Sequence, residues 1–468
     1  MFFRSFFDEG LAQMSYLVGC QKTGEAIVID AARKIDPYLK TAKKENLTII
    51  AVAETHIHAD FLSGSREIAK HCGAKVYVSD EGGEDWKYNE MEGVDYKRLR
   101  NESTFEIGHI EFEVTHTPGH TPESISFILT DKGGGSHQPM GIFTGDFVFV
   151  GDVGRPDLLE KAVGVEGSAN IGASQMYDSL QKFKTLPDYL QIWPGHGAGS
   201  ACGKALGAVP MSTVGYEKLN NWALKEEDKE AFIKTLLSGQ TPPPNYFSMM
   251  KKLNKMGPAL LDASEIDELE TLEAFVAYKD QPILLDTRRA SEFAKAHVEG
   301  TINIPYNQSF TNWAGELIGY DRDIVLIAEE KKLKAIQESL QSIGLDRVVA
   351  FIEPTVALTN QVHLERYEDV DVEEASNFLD DDAYYLLDVR NESEWEEGRI
   401  EGATLKTLSQ LENQLDDLPS GKTILVYCRS GARSAIAASL LQANGYKNVE
   451  NIKGGYLAWL KEKYLVKR

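Results

Sequence analysis

The run Thr55-His56-Ile57-His58-Ala59-Asp60-Phe61 places two imidazoles and a carboxylate within five positions, just past the strand-like stretch Leu47-Thr48-Ile49-Ile50-Ala51-Val52-Ala53. Imidazole nitrogen and carboxylate oxygen are donors that suit zinc and non-haem iron. A further ligand is expected after Asp60, but the chain supplies Phe61, whose ring has nothing to donate. Three later loops share the pattern of an apolar strand ending in a possible ligand: Thr117-Pro118-Gly119-His120-Thr121, Thr144-Gly145-Asp146 and Pro194-Gly195-His196-Gly197. Glycines beside the ligands allow sharp turns and close approach. A lone histidine is usually a surface or hydrogen-bonded core residue, and His71, His109, His137, His297 and His363 are read that way, with His116 as a strand residue. Four strand ends each bearing His or Asp point instead to loops at one sheet edge converging on one ion.

A second chemical stretch, Cys428-Arg429-Ser430-Gly431-Ala432-Arg433-Ser434, links the strand Ile424-Leu425-Val426-Tyr427 to a helical pattern beginning at Ala435. Main-chain N–H groups wrapped around a sulfur at a helix N-terminus favour thiolate and bind anions. Arg429 and Arg433 add positive charge there. A merely buried cysteine would leave the glycine and the paired arginines unexplained.

The elements that must carry these loops divide the chain. Its 468 residues exceed one ordinary core and predict about three domains. To about residue 220, strand patterns such as 26–29, 75–78, 110–114 and 124–128 mix with helical ones such as 174–184. Charged Lys225-Glu226-Glu227-Asp228-Lys229-Glu230 and then Pro242-Pro243-Pro244 mark a connector. Beyond it, Leu284-Leu285-Asp286-Thr287-Arg288 recurs as Leu386-Leu387-Asp388-Val389-Arg390, an internal repeat of two similar α/β domains. The position of Cys428 is occupied in the first copy by Ala328, followed by Glu329-Glu330-Lys331-Lys332. The expected boundaries are a domain over 1–224, a linker over 225–262, and repeats over 263–364 and 365–468.

A formal charge of −23 argues against a general nucleic-acid or anionic-membrane surface. Cys20, Cys72, Cys202 and Cys428 are scattered without disulfide or zinc-ribbon spacing, which suits a reducing, cytoplasmic setting. The apolar start is broken by charge before a signal core forms, and no stretch reaches membrane-spanning length.

Over roughly residues 1–220, the order of His/Asp loops resembles the metallo-β-lactamase superfamily, which implies an αββα sandwich holding metal at one edge. Its dinuclear hydrolases end the first motif with Asp-His, where this chain has Asp60-Phe61. The chain is similar to the mononuclear persulfide dioxygenases of that superfamily. The resemblance implies one Fe(II) per chain on His56, His120 and Asp146. His58, Asp60 and His196 are then residues that orient the ligands, are vestigial or themselves ligate, and the stretch Gly151-Asp152-Val153-Gly154-Arg155-Pro156-Asp157 resembles the family's arginine loop behind the metal. Two histidines and one carboxylate with open positions suit dioxygen chemistry at iron. Cys202 is either a thiol handling persulfide near the mouth of the site or a passive loop cysteine.

The loop 428–434, with Glu394-Trp395 and Gly454-Gly455-Tyr456-Leu457-Ala458-Trp459, resembles the rhodanese sulfurtransferases. This implies a multidomain α/β and α+β chain, the sandwich being followed by two rhodanese-like domains of which only the second, with Cys428, transfers sulfur. The expected activity is oxidation of a low-molecular-weight thiol persulfide (on glutathione, coenzyme A or a similar carrier) by O2 to thiol and sulfite. Sulfur transfer through Cys428 then either combines sulfane sulfur with sulfite as thiosulfate or delivers persulfide toward the iron site, a role in sulfide detoxification, in a homo-oligomer. The alternatives are a glyoxalase-II-like zinc thioester hydrolase and a non-catalytic sulfur carrier or sensor.

Overall fold

The computed structural model describes residues 1–89, 93–158, 160, 167–261, 266–278, 282–359, 363–379, 381–462, 464, 466 and 467. It divides into two compact units, Met1–Asp262 with Gln341–Gly344, and Ala263–Leu340 with Leu345–Arg468.

In the first unit, six strands in sequential order (Phe2–Asp8, Gln13–Cys20, Glu25–Ile29, Thr48–Ala53, Lys75–Ser79, Tyr96–Leu99) form one sheet. A second sheet runs Ser212–Thr213, Gln191–Pro194, Gly141–Gly145, Ile125–Asp131, Ile110–His116, Thr104–Ile107. The alternation in Ile110–His116 turns Ile110, Phe112 and Val114 inward, as period-two side-chain geometry requires. These residues join Tyr16, Val18, Ile27, Phe127, Phe143 and Trp193 in the core between the sheets. Helices Asp36–Lys44 and Ser65–Cys72 cover the outer face of the first sheet through Tyr38, Ala42, Ile68 and Ala69. Helix Ser168–Phe183 covers the second through Ala173, Met176, Leu180 and Phe183. The result is the expected αββα sandwich, held by apolar burial on three parallel planes.

Residues 225–262, read from the sequence as a linker, carry helices Lys229–Leu237 and Phe247–Met256 and group with the first unit. Phe232 and Leu236 pack into the outer helical layer. The prolines break the chain between the two helices without ending the unit.

The second unit repeats one architecture. Five parallel strands in the order Asp267–Glu268, Val348–Ile352, Ile324–Ile327, Ile283–Asp286, Ile302–Asn303 are followed by five more in the order Glu368–Val370, Val449–Ile452, Thr423–Tyr427, Tyr384–Asp388, Thr404–Leu405. The repeated Asp-x-Arg motif is a buried ion pair in both copies, Asp286–Arg288 and Asp388–Arg390, each closing at 2.6 Å. His297 stacks on Phe293 with centroids 3.8 Å apart and hydrogen-bonds its carbonyl at 2.9 Å. It is a core histidine, as read. Among the described residues no helix is long and apolar enough to cross a membrane.

Candidate metal centre and sulfur-transfer loop

The four loops leave the sandwich at one edge and are tied together by the main chain. Gly195 N–H donates to Gly145 O at 2.8 Å, Met14 N–H to Gly195 O at 2.7 Å, and Ile125 N–H to Thr55 O at 2.8 Å. Gly145 has φ +50° and a Cβ there would collide with the Thr55 side chain, so only glycine lets Asp146 approach the His56 loop.

His56, His120 and Asp146 are brought together, one ligand atom from each lying within 4.8 Å of the others. His120 Nε2 is 3.5 Å and His56 Nε2 3.9 Å from Asp146 Oδ2. All three side chains are buried. His120 Nδ1 is engaged by the Arg155 carbonyl at 2.9 Å, and His56 Nδ1 by Thr55 Oγ1 at 3.0 Å. Both rings therefore turn Nε2 inward, and His56 Nε2 and Asp146 Oδ2 are buried with no hydrogen-bond partner. Orphaned buried donors and acceptors are costly, and outer partners on the far ring nitrogen are how metal-binding histidines are oriented. The donor set fits a single cation. Burial and then the neighbouring His58 push the His56 pKa well below its usual value, so its Nε2 lone pair is available.

His58 turns away from this trio. Its Nε2 lies 3.0 Å from Glu54 Oε2 and 3.2 Å from Asp30 Oδ1, and burial notwithstanding, those carboxylates raise its pKa well above the usual value. Asp30 and Glu54 escaped the sequence reading. Asp30 also accepts from Thr55 N–H at 2.8 Å and Thr55 Oγ1 at 2.9 Å, so one carboxylate fixes His58 and, through Thr55, His56. Glu54 additionally accepts from the hydroxyls of Ser63 and Ser65. Phe61 is buried with its ring centroid 4.4 Å from that of His58.

His196 spans two carboxylates, with Nδ1 2.7 Å from Asp146 Oδ1 and Nε2 2.6 Å from Asp60 Oδ2. Against burial, Asp146 and Asp60 lift its pKa to about 10. Arg155 is buried and grips Asp157 through Nε at 2.8 Å and Nη2 at 2.6 Å, while its main chain positions His120. Cys202, read from the sequence as either a thiol near the mouth of the site or a passive loop cysteine, is buried beside Asp60 and His196. Burial, then Asp60 and Asp146, hold its thiol well above the usual pKa, so it is no ready thiolate.

Asn254 is a third residue the sequence did not flag. From helix Phe247–Met256 its Nδ2 donates to His58 O at 2.8 Å and Phe61 O at 2.7 Å, and its Oδ1 accepts from Ser63 N–H at 2.9 Å. Asn254→Ala strands three buried main-chain groups of the ligand loop, each costing about 1–3 kcal/mol. The expected result is a clear fall in the melting temperature of the metal-loaded protein with reduced metal retention on dialysis. An unchanged melting temperature and metal content would contradict this role.

In the second unit, Cys428 is buried at the end of Thr423–Tyr427, and Gly431 N–H points at its Sγ from 3.1 Å. Ser434 Oγ lies 3.5 Å from the same sulfur. The helix Ala432–Ala443 starts directly behind the loop. Gly455 allows the closing segment to press on the Cys428 carbonyl, which receives Tyr456 N–H at 2.8 Å. Arg429, Ser430 and Ala432 are exposed on the loop. Arg433, expected to add positive charge to the loop, donates bidentately to Glu394 at 2.6 and 2.8 Å. Much of its charge is thereby neutralised, and Arg429 is the loop's open cation. In the first copy Ala328 is buried at the matching strand end, and Glu329 pairs with Lys331 and Lys332.

Comparison with known proteins agrees with this architecture. Residues 8–196 match the metallo-beta-lactamase superfamily. A solved metallo-beta-lactamase of Staphylococcus aureus is 44% identical, with a TM-score of 0.69, and the match covers 76% of this chain and 99% of that one. The chain belongs to the metallo-beta-lactamase superfamily. Residues 255–353 and 371–462 match the rhodanese-like domain, so this superfamily member carries two such domains behind its sandwich. Among curated relatives, the mitochondrial persulfide dioxygenase ETHE1 of Bos taurus is 25% identical over 52% of this chain and 82% of its own. A probable hydroxyacylglutathione hydrolase of Schizosaccharomyces pombe is 31% identical over 39% of this chain, which spans 62% of that relative's length.

Proposed function

We propose that the first unit oxidises a low-molecular-weight thiol persulfide with O2 to thiol and sulfite, and that Cys428 handles sulfane sulfur. The observation that carries this reading is the His56–His120–Asp146 trio, one of three buried groups of possible ligands among the described residues, the others being Asp60 with His196 and Cys202 and Asp30 with Glu54 and His58. His56, His120 and Asp146 converge, while His58 is held by Asp30 and Glu54, and Phe61 replaces the imidazole a second metal would use. The likeness to a persulfide dioxygenase supports it, as does the attachment of rhodanese-like domains.

In this reading His56, His120 and Asp146 hold one Fe(II), which supplies the redox chemistry between sulfur and dioxygen. Thr55 and the Arg155 carbonyl keep the two imidazoles oriented. The overall change consumes one persulfide, one O2 and one water, and releases one thiol, one sulfite and two protons. At the second centre, the Cys428 thiolate attacks the outer sulfur of a persulfide and the carrier departs as thiolate. Sulfite then attacks the outer sulfur on Cys428, giving thiosulfate and regenerating the thiolate. Gly431 N–H and the start of helix Ala432–Ala443 stabilise negative charge on sulfur.

The hydroxyacylglutathione hydrolase likeness favours a second reading, hydrolysis of a glutathione thioester by zinc-bound water. The two are separated by oxygen consumed and sulfite formed when the iron-loaded protein meets glutathione persulfide, against thioester hydrolysis by the zinc-loaded protein.

A further inference from the structure

A cavity of about 670 Å³ opens within the second unit, against the repeat that lacks the cysteine. Its volume falls in the range of small-molecule pockets. Arg289, Glu292, Tyr306 and Trp313 of the first repeat line it together with Ala432 and Ile436 from the helix behind the Cys428 loop. Ala432 follows Gly431, whose N–H points at Cys428 Sγ from 3.1 Å. The two walls are joined. Asn303 N–H donates to Ser439 Oγ of that helix at 2.9 Å, and Asn303 Nδ2 donates to the Asp286 and Arg288 carbonyls, each at 2.9 Å. One asparagine of the first repeat therefore fixes both the loop that carries Arg289 and the helix that starts at the sulfur-transfer loop.

The charges around this cavity are unevenly used. Arg288 is taken by Asp286 and Lys332 by Glu329. Among the described residues the Arg289 guanidinium has no ion-pair partner, and the Glu292 carboxylate has only Arg289 N–H, at 3.2 Å. In the active repeat the counterpart of Glu292 is Glu394, which Arg433 occupies bidentately. The counterpart of Arg433 is Leu333, so the carboxylate of the first repeat is left open to the cavity. A free cation and a free anion three positions apart, with an indole and a phenol beside them, are complementary to a zwitterion. A guanidinium pairs bidentately with a carboxylate. A carboxylate beside an aromatic face receives an ammonium.

Resting on the sulfur-transfer reading of Cys428, we propose that the cysteine-less repeat is the subsite for the organic partner in that transfer: Arg289 takes the carboxylate, and Glu292 with Trp313 the ammonium, of an amino-acid or peptide persulfide. Its sulfur arm runs past Ala432 to Cys428, and the thiolate that departs is held in the same place. The pairing discriminates by charge pattern. A carrier bearing only phosphates offers Arg289 an anion but meets repulsion from Glu292, and an inorganic donor such as thiosulfate needs neither residue.

The test uses the full-length protein without oxygen, with glutathione persulfide, uncharged 2-mercaptoethanol persulfide or thiosulfate as donor and cyanide as acceptor, read as thiocyanate formed above the Cys428→Ser background. Arg289→Gln with Glu292→Gln should raise KM for glutathione persulfide at least about tenfold with kcat within about twofold, leaving KM for the two other donors within about twofold. Arg289→Lys with Glu292→Asp should bring KM back to within about threefold of wild type. Calorimetric titration with unreactive S-methylglutathione reads the pocket without turnover, and one binding event of the wild type should weaken at least about tenfold in the Gln pair. Equal KM in wild type and the Gln pair, or an equal loss with all three donors, overturns the subsite. Tighter binding of S-methyl-coenzyme A than of S-methylglutathione, lost in Arg289→Gln and strengthened in Glu292→Gln, overturns the zwitterion pairing. Pair-dependent binding with no thiocyanate from any donor keeps the subsite and overturns the transfer reading of Cys428. Thiocyanate formation with a KM indifferent to the pair does the reverse.

Discussion

His120→Ala abolishes persulfide-dependent oxygen consumption and strips the protein of its metal: this is the largest effect expected in the first unit. His120 is one of only three side chains in the converging trio, and its Nε2 faces Asp146 Oδ2 at 3.5 Å. Losing a mere supporting partner of a ligand already costs about 10–100-fold in metal affinity or activity. Removal of one ligand in three should exceed a hundredfold in both, read by metal analysis after dialysis and by an oxygen electrode. The Ala variant also leaves the Arg155 carbonyl without its ring partner, so circular dichroism must show a retained fold. His58→Ala provides the contrast. It removes a group held by Asp30 and Glu54 rather than by the trio, and it should lower stability more than it empties the site. Near-normal oxygen uptake in His120→Ala would mean the trio is not the metal centre.

The second large effect concerns Cys428→Ser, which should cut transfer of sulfane sulfur to sulfite or cyanide by at least about a thousandfold while oxygen uptake stays within about twofold. Serine keeps the size of the side chain and the contact with Gly431 N–H, yet its hydroxyl cannot form a persulfide. The matching position in the first copy is Ala328, so no neighbouring thiol in that repeat can take over. Equal loss of both activities would show that the two centres do not divide the chemistry in this way.

The sandwich and the repeat were legible in the sequence because both rest on local signals. Apolar strands ending in Gly-His or Gly-Asp fix one end of each loop, and the repeated Leu-Leu-Asp-x-Arg segment ends a buried parallel strand in both copies. What stayed hidden depends on contacts distant in sequence. Asp30 is a lone carboxylate in left-handed backbone (φ +51°), and its hold on Thr55 and His58 exists only once two parallel strands lie side by side. Asn254 sits in a ten-residue helix after three prolines, where composition reads as a connector, yet it reaches the ligand loop. The pairing of Arg433 was hidden because its partner, Glu394, is 39 residues earlier. Cys202 follows a small, flexible-looking stretch, but the fold closes over it. In each case a long-range pairing decides a charge or an exposure that the residue type alone leaves open.

The most direct measurement is the ratio of oxygen consumed to sulfite formed when the full-length, iron-loaded protein is given glutathione or coenzyme A persulfide, with Cys428 replaced by serine so that sulfite accumulates. The account predicts a ratio of one to one that vanishes with chelation of the metal and returns with Fe(II). Zinc as the activating metal, with thioester hydrolysis and no oxygen uptake, would contradict it.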